Sequence, residues 1–361
     1  MYNKALAVLK ILNDNGYLAY IVGGYPRDMI LGVPSQDIDI CTSAKPKEII
    51  AIFDTDKVND VSYGSIRIIY KNALFDVTTF RKDIKYENNR KPIKIKYVND
   101  LRKDLLRRDF TVNTICIDAE GKIIDLLGAH EDLEKHLLKM VGNPRHKLKE
   151  DSLRILRAVR FASNLDFTID DKTKYYIKKY AYLLTKLSSS RKREELDKIL
   201  TSRNKEKGRD LLVVFGLDKY LGLNNLKDII LCDDILGIWS QIETTVDYPF
   251  SKLERETIKK IKEMSELGVT NLTVYKYGLY ISNVVASIKG VSYRDVNNIY
   301  KKLSIKSIKD IVVTGMEIAN ILKKEPGNYI GNILSDLEEK IVEGKLENEK
   351  DKLYAYVKEN Y

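Results

Sequence analysis

The chain has 361 residues, with 62 Lys and Arg against 52 Asp and Glu and a formal charge of +10. That length exceeds what one hydrophobic core normally holds, so two or more domains are expected. No apolar stretch reaches membrane-spanning length, and the three cysteines and three histidines lack the spacing of a disulfide framework or a zinc site. The reading is a soluble cytoplasmic protein with no membrane partner.

In chain order, the opening MYNKALAVLKILNDNGY has helical apolar spacing, not the apolar block and cleavage site of a signal peptide. Candidate strands follow at Ala19 to Val22, Asp37 to Cys41, Ser65 to Tyr70, Leu74 to Phe80, Thr114 to Asp118 and Ile123 to Asp125. Lys71-Asn72 suggests a hairpin turn between the third and fourth. After His130 strand signals stop and helical periodicity takes over, at Asp151 to Asn164, Asp171 to Leu184, Arg191 to Thr201, Lys205 to Val214 and onward. The expected fold class is therefore α+β: a mixed-sheet head over residues 1–137, a helical neck over 138–200, and a helical body and tail over 201–361. No internal repeat is visible.

Charge is unevenly spread. Between Leu138 and Asp210 there are 20 Lys or Arg and 10 Asp or Glu, which accounts for the whole excess. Tyr175, Tyr176, Tyr180 and Tyr182 are interleaved with these cations, a pattern suited to tracking a phosphate backbone; the plain alternative is a solvated helix face.

Asp37 and Asp39 are the sharpest chemical signal. On a strand from Gln36 to Thr42 they share a face, because side chains alternate, while Ile38 and Ile40 turn to the core. Two carboxylates so placed can hold divalent ions, usually Mg2+, of the kind that activate an attacking hydroxyl and stabilise a leaving pyrophosphate. D-x-D alone is common on exposed strands. Its setting adds weight: Tyr20-Ile21-Val22 reads as a buried strand, Gly23-Gly24 lets backbone N–H groups approach a phosphate, and Arg27 adds a charged fork. A short helix from Asp28 to Leu31 would aim its positive end at the same anion, giving a βαβ-like unit.

Three further constellations stand out. Asp76, on the strand LFDVTTF, is a candidate third carboxylate, or else a partner of Arg81. In RRDFTVN, Arg108 can bind phosphate bidentately and Asp109 can accept from a ribose hydroxyl, or both can belong to a structural network. In EDSLRILRAVR, Asp151 and Arg154 lie three apart on a predicted helix and can project as a pair. A carboxylate beside a guanidinium complements the amine and ring-nitrogen acceptor shared by cytosine and adenine, and opposes the carbonyl of uracil and guanine. Arg157 and Arg160 drift around the helix by about 60° per three-residue step and reach elsewhere. A surface ion pair is the plain alternative.

Taken together, VGGYPRD, DIDICTSAKP, VSYGSIRIIY, FDVTTFR, RKDLLRRDFTVN, EDSLRILRAVRFA and SSSRKREEL, with DIVVTGMEI and KKEPGNYIGNILSDLEEKIVEGKLENEKDKL near the C-terminus, resemble the bacterial class II CCA-adding enzymes. These tRNA nucleotidyltransferases share the polymerase-beta-like superfamily with bacterial poly(A) polymerases. The resemblance implies that Asp37 and Asp39 bind Mg2+ and that Gly24, Arg27 and Arg108 help bind the incoming triphosphate. It further implies that Asp109 contacts the ribose, Asp151 and Arg154 template CTP and ATP, and Arg157 and Arg160 complete the site. The implied partners are tRNA, CTP and ATP, with no nucleic-acid template. Pro26 departs from the small aliphatic residue common at that position in the family. Thr79-Phe80-Arg81 through Tyr86, Arg90 and Pro92 keeps the flexible-loop pattern that the family associates with the change from CTP to ATP. The alternatives are an enzyme adding only CC or only A, a poly(A) polymerase, and an inactive tRNA-binding module.

Overall fold

The computed structural model describes residues 1–35, 37–54, 64–87 and 91–361, with side chains described for all of these except 85–87 and 91–94. The chain forms two units: Met1–Lys227 with Thr244–Pro249, and Asp228–Glu243 with Phe250–Tyr361.

The first unit opens with α1 (Tyr2–Asp14), whose Ala5, Val8, Leu9 and Leu12 sit at helical spacing and are buried. Burying each of the larger three contributes about 1.5–3 kcal/mol. β1 (Ala19–Val22) then leads through Gly23 into α2 (Gly24–Ile30) and on to β2 (Asp39–Thr42). After α3 (Pro46–Phe53) come β3 (Ser65–Tyr70), β4 (Ala73–Thr79), β5 (Arg81–Glu87), β6 (Lys91–Tyr97), α4 (Leu101–Leu105), β7 (Cys116–Ile117) and β8 (Ile123–Ile124). The main sheet is mixed, in the order β3-β4-β2-β1-β7-β8, with β2 and β4 parallel and the other neighbours antiparallel. Ile21, Ile40, Ile66, Ile68, Phe75 and Val77 pack one face against α1 and α3, while Val22, Cys41, Cys116 and Phe80 meet α4 on the other.

The turn between β3 and β4 is as the sequence suggests: Tyr70 pairs with Ala73, and Lys71 and Asn72 both take positive φ, 46° and 60°. Two consecutive left-handed residues define the two-residue turn that matches strand twist. Three expectations need correction. β1 and β2 are antiparallel neighbours, so β1, α2 and β2 are not a crossover unit: Val22 pairs with Asp39, and the chain re-enters the sheet at the end where it left. β2 begins at Asp39 rather than before Asp37, because β1 ends at Val22 and Gly23 turns away, leaving Asp37 and Ile38 nothing to pair with on that side. Strands also do not stop at His130: β9 (Leu137–Leu138) and β10 (Thr168–Ile169) form a short parallel pair.

Helices α5 (Ala129–Glu134), α6 (Pro144–Glu150), α7 (Leu153–Asn164), α8 (Asp171–Tyr180), α9 (Ser189–Leu200), α10 (Lys205–Val214) and α11 (Asp218–Leu221) complete the first unit. The second unit holds α12 (Ile235–Gln241), α13 (Lys252–Leu267), α14 (Asn271–Lys289), α15 (Tyr293–Lys302), α16 (Gly315–Leu322), α17 (Tyr329–Val342) and α18 (Lys350–Asn360) around its own core, which includes Ile261, Met264, Val285, Leu337 and Val357. Among the described residues no helix is long and apolar enough to cross a membrane, and all three cysteines are free and buried.

Candidate active site

The site begins where the sheet face meets the glycine turn. Ile38 and Ile40 are buried while Asp37 and Asp39 are exposed, the expected alternation, although only Asp39 is within the strand. Asp39 stands in register with Asp76 on parallel β4, and Asp76 with Arg67 on β3, so one row crosses the sheet face. Arg67 grips Asp76 with Nε to Oδ1 at 2.8 Å and Nη2 to Oδ2 at 3.0 Å. The partner of Asp76 is therefore Arg67, not Arg81.

On the other side, a Cβ placed on Gly23 would stand 3.2 Å from Asp39 Oδ2 and 3.9 Å from Arg108 Nη1, and Gly23 takes φ +91°. The dihedral calls for glycine, and a side chain there would also press on the Asp39 carboxylate. α2 follows at once from Gly24, earlier than Asp28 where the sequence suggested it, with Pro26 in its first turn, where a missing N–H costs no helical bond.

Although Asp39 reaches solvent, the protein packed around its carboxyl strips away part of its water and pushes it above its usual range; Arg108 opposes this, and the charges of Asp76 and Asp37 push the same way as the lost water. An anion raised by its like-charged neighbours gains from a cation. Among the described residues no group of three or more His, Cys, Asp or Glu is arranged to hold a metal ion by itself. An open set of carboxylate oxygens still fits Mg2+, which is usually held by one or two carboxylates together with substrate phosphates.

Arg108 points into this region from the segment after α4. It is half-buried, its Nη2 lies 3.5 Å from Asp104 Oδ2, and its buried Nε–H has no hydrogen-bond partner among the described residues. A buried donor left unpaired in a native site calls for an acceptor. Asp104 itself is fully buried and also accepts from Arg107 Nε at 2.8 Å and from the Arg81 backbone N–H at 3.1 Å.

Asp109 is held internally on both oxygens. Oδ1 accepts from the Phe110 backbone N–H at 2.8 Å and Asn113 Nδ2 at 3.1 Å, and Oδ2 accepts from Arg157 Nε at 2.8 Å and from Arg157 Nη2. Burial alone would raise this carboxyl; the Arg157 charge and these hydrogen bonds overcome it and hold the group well below the usual carboxylate range. Asn113 Oδ1 in turn accepts from Arg27 Nη1 at 2.6 Å, while Arg27 also pairs with Asp28 at 2.7 Å.

The neck supplies the remaining groups. Asp151 is not on a helix, as the sequence suggested; it caps the end of α6 in an extended conformation, its Oδ1 accepts from the Leu153 N–H at 3.0 Å, and α7 starts at Leu153. Arg154 is buried and ties the neck to the head: Nη1 donates to the Lys147 carbonyl at 2.9 Å and Nη2 to the Arg107 carbonyl at 3.2 Å, with Glu150 at 3.4 Å. Lys147 Nζ adds a bond to the Leu106 carbonyl at 2.6 Å. The expected rotation along α7 is present: Arg154 reaches these carbonyls, Arg157 reaches Asp109, and Arg160 Nη1 reaches Glu195 Oε1 at 3.1 Å. A cleft of about 400 Å³ is lined by Lys82, Asp83, Lys103 and Lys147 together with two residues that hold Arg154, Arg107 and Glu150, a size ordinary for small-molecule sites.

Farther along the neck the tyrosines and cations interleave as expected. Tyr176 stacks on Tyr180 at 5.8 Å, Tyr175 and Tyr182 are exposed, and Lys179 lies 5.5 Å from the Tyr175 ring centre. Arg90 and the side chains of Tyr86 and Pro92 lie outside the described residues. Sequence reasoning missed Asp104 and Glu195. Asp104 had a signal, because it stands three and four residues before Arg107 and Arg108; Glu195 had none tying it to Arg160.

The class is that of the nucleotidyltransferases: residues 19–139 match the family model described as the poly(A) polymerase head domain. Residues 166–224 match a probable RNA and SrmB-binding site of polymerase A, and residues 248–357 a putative tRNA nucleotidyltransferase domain 2. Over 99% of its length the chain is 34% identical to the CCA-adding enzyme of Ligilactobacillus salivarius, covering 96% of that protein. It is 31% identical to that of Bacillus cereus, covering 99% of this chain and 98% of the relative. The crystal structure of the Bacillus stearothermophilus CCA-adding enzyme in complex with CTP superimposes with a TM-score of 0.87 at 27% identity, covering 99% of this chain and 97% of the other. The chain belongs to the CCA-adding enzymes, which are tRNA nucleotidyltransferases.

Proposed function

We propose that this enzyme adds C, C and A in turn to the 3′ end of tRNA from CTP and ATP in the cytoplasm, without a nucleic-acid template and with Mg2+ at Asp37 and Asp39. The observation that carries the reading is the row Asp76, Asp39 and Gly23 facing Arg108, which sets carboxylates and a buried donor, unpaired among the described residues, around one turn. A divalent cation held by these carboxylates supplies charge neutralisation for the attacking tRNA hydroxyl and the departing pyrophosphate.

The protein's own groups divide the remaining work. Asp39, with Asp37 beside it, would hold the cation, which offsets the negative charge gathered there. Asp76 joins them when its grip on Arg67 loosens. Gly24, Arg27 and Arg108 hold the triphosphate, for which bidentate guanidinium contacts are suited. Asp109 contacts the ribose edge while Arg157 holds its carboxylate in place, and Arg157 and Arg160 complete the nucleotide site. Asp151 and Arg154 read the base; Arg154, fixed by two carbonyls, is preorganised to reject a uracil or guanine carbonyl pattern. In this division residues 1–137 perform the chemistry, 138–200 choose the nucleotide, and 201–361 hold tRNA, with the tyrosine and lysine rows of α8 adding backbone contacts.

Extension of a tRNA lacking its last three nucleotides tests the reading. CTP alone should give two additions, and CTP with ATP three. Long adenylate tails from ATP alone would show a poly(A) polymerase, and arrest after two C residues in the presence of ATP would show a partial enzyme.

A further inference from the structure

Phe161, on α7, is the meeting point of three guanidinium groups from two distant parts of the chain. Arg27 from α2 lies 5.6 Å from the ring centre, Arg157 5.3 Å and Arg160 4.7 Å. The ring is itself braced edge-on by the fully buried Phe110 at 5.6 Å, whose backbone N–H holds Asp109.

Three like charges gathered around one ring repel one another. Each has its own anion: Arg27 has Asp28, Arg157 has Asp109 and Arg160 has Glu195. Those anions stand at three separate places in the chain, and the mutual repulsion of the guanidinium groups opposes their convergence. Burial lowers the Arg160 pKa first, and the charges of Arg157 and Arg27 add to that against the pull of Glu195 and Asp109. What draws the three together is the negative face of the aromatic ring, which attracts each cation within about 6 Å of its centroid. An aliphatic side chain of similar size fills the space without that attraction.

We propose that Phe161 is a positioning residue of the nucleotide site, the aromatic platform that keeps Arg27, Arg157 and Arg160 converged so that they bind one polyanion together. This rests on the assignment of those arginines to the triphosphate. The platform touches neither base nor reacting atoms, so it sets how tightly any nucleotide is held and leaves the choice between them to Asp151 and Arg154.

The test uses the full-length enzyme with inorganic tripolyphosphate as a competitor, alongside the KM and kcat for CTP and ATP. Phe161→Leu should weaken tripolyphosphate inhibition about tenfold and raise both KM values by a similar factor. It should change kcat by less than about threefold and leave the CTP-to-ATP ratio intact. Phe161→Tyr, which keeps the ring, should recover most of the affinity. Replacing Phe161 by phenylalanines of increasing fluorination preserves shape and weakens the ring quadrupole stepwise, so it remains informative if the leucine variant fails to fold. Affinity should fall with each step; a flat fluorination series, or equal losses for leucine and tyrosine, overturns the platform. Arg27→Gln separates the two claims. If it leaves tripolyphosphate inhibition unchanged, the triphosphate assignment falls and the platform with it; if it weakens inhibition while the fluorination series is flat, only the platform falls.

Discussion

The carboxylate edge of the head and the arginine rows of the neck use charge in opposite ways. Asp37 and Asp39 both reach solvent, yet the protein packed around the Asp39 carboxyl strips it of part of its water, and the charges of Asp76 and Asp37 disfavour its anion further. Arg154, Arg157 and Arg160 are each tied down, to carbonyls, to Asp109 and to Glu195. The head is left electrostatically incomplete, so it gains most when a cation and a phosphate arrive. The neck is complete before any nucleotide enters, so its geometry is fixed in advance, which is what discrimination between bases requires. One region stores a need for ligand and the other stores a shape.

That contrast breaks most visibly at Asp39. Asp39→Ala should lower nucleotide incorporation by roughly 10³-fold or more while tRNA binding, measured by filter retention, stays near wild type. Chelation of divalent metal should abolish incorporation in the wild type, and added Mg2+ should restore it; activity that persists in excess chelator would remove the metal from the mechanism.

Asp109 probes the completed side. Breaking a buried ion pair by removing one partner costs about 3–5 kcal/mol, so Asp109→Asn, which keeps some hydrogen bonding, should cost roughly 3 kcal/mol in urea denaturation. The sign with pH follows from a folded pKa held below the unfolded one. Stability from Asp109 is fully present above about pH 5 and is lost as the pH falls toward the folded value. The wild type should therefore lose stability more steeply on acidification than Asp109→Asn; parallel curves would mean that Arg157 does not hold the carboxylate.

The smallest expected effect lies on the outer face of the neck. The affinity for tRNA should fall steeply with salt, and replacing Lys178 and Lys179 by Gln should reduce the slope of log K against log salt by about two, one for each phosphate that these ammonium groups neutralise. An unchanged slope would return that surface to a solvated face.

How much of this was legible in the sequence depended on whether burial imposed a pattern. β1, β3 and β4 were visible because Ile21, Ile66, Ile68, Phe75 and Val77 must face one core. The Lys71-Asn72 turn was visible because two left-handed residues in a row demand that chemistry. β5 and β6 were not: RKDIKYE and KPIKIKY pair with each other outside the main sheet, and Ile84, the apolar residue of β5, is exposed, so it marks no core face. α7 was read two residues too long because Asp151 ends the preceding helix through its backbone N–H to Lys147 and accepts the Leu153 N–H on its side chain, neither of which leaves a periodic trace. In the site, the row of Arg67, Asp76 and Asp39 depends on strand register, and the pairing of Arg160 with Glu195 spans 35 residues. Neither distance is written in local spacing.

On the proposed reading, bond formation and base choice fall to different parts of one unit. That separation is tested most directly by presenting wild type and Arg154→Ala with each of the four nucleoside triphosphates and a tRNA ending at the discriminator base. The preference for CTP over UTP should fall at least about tenfold in the variant while kcat with CTP changes by only a few-fold. An equal loss on all four nucleotides, with the preference intact, would contradict it.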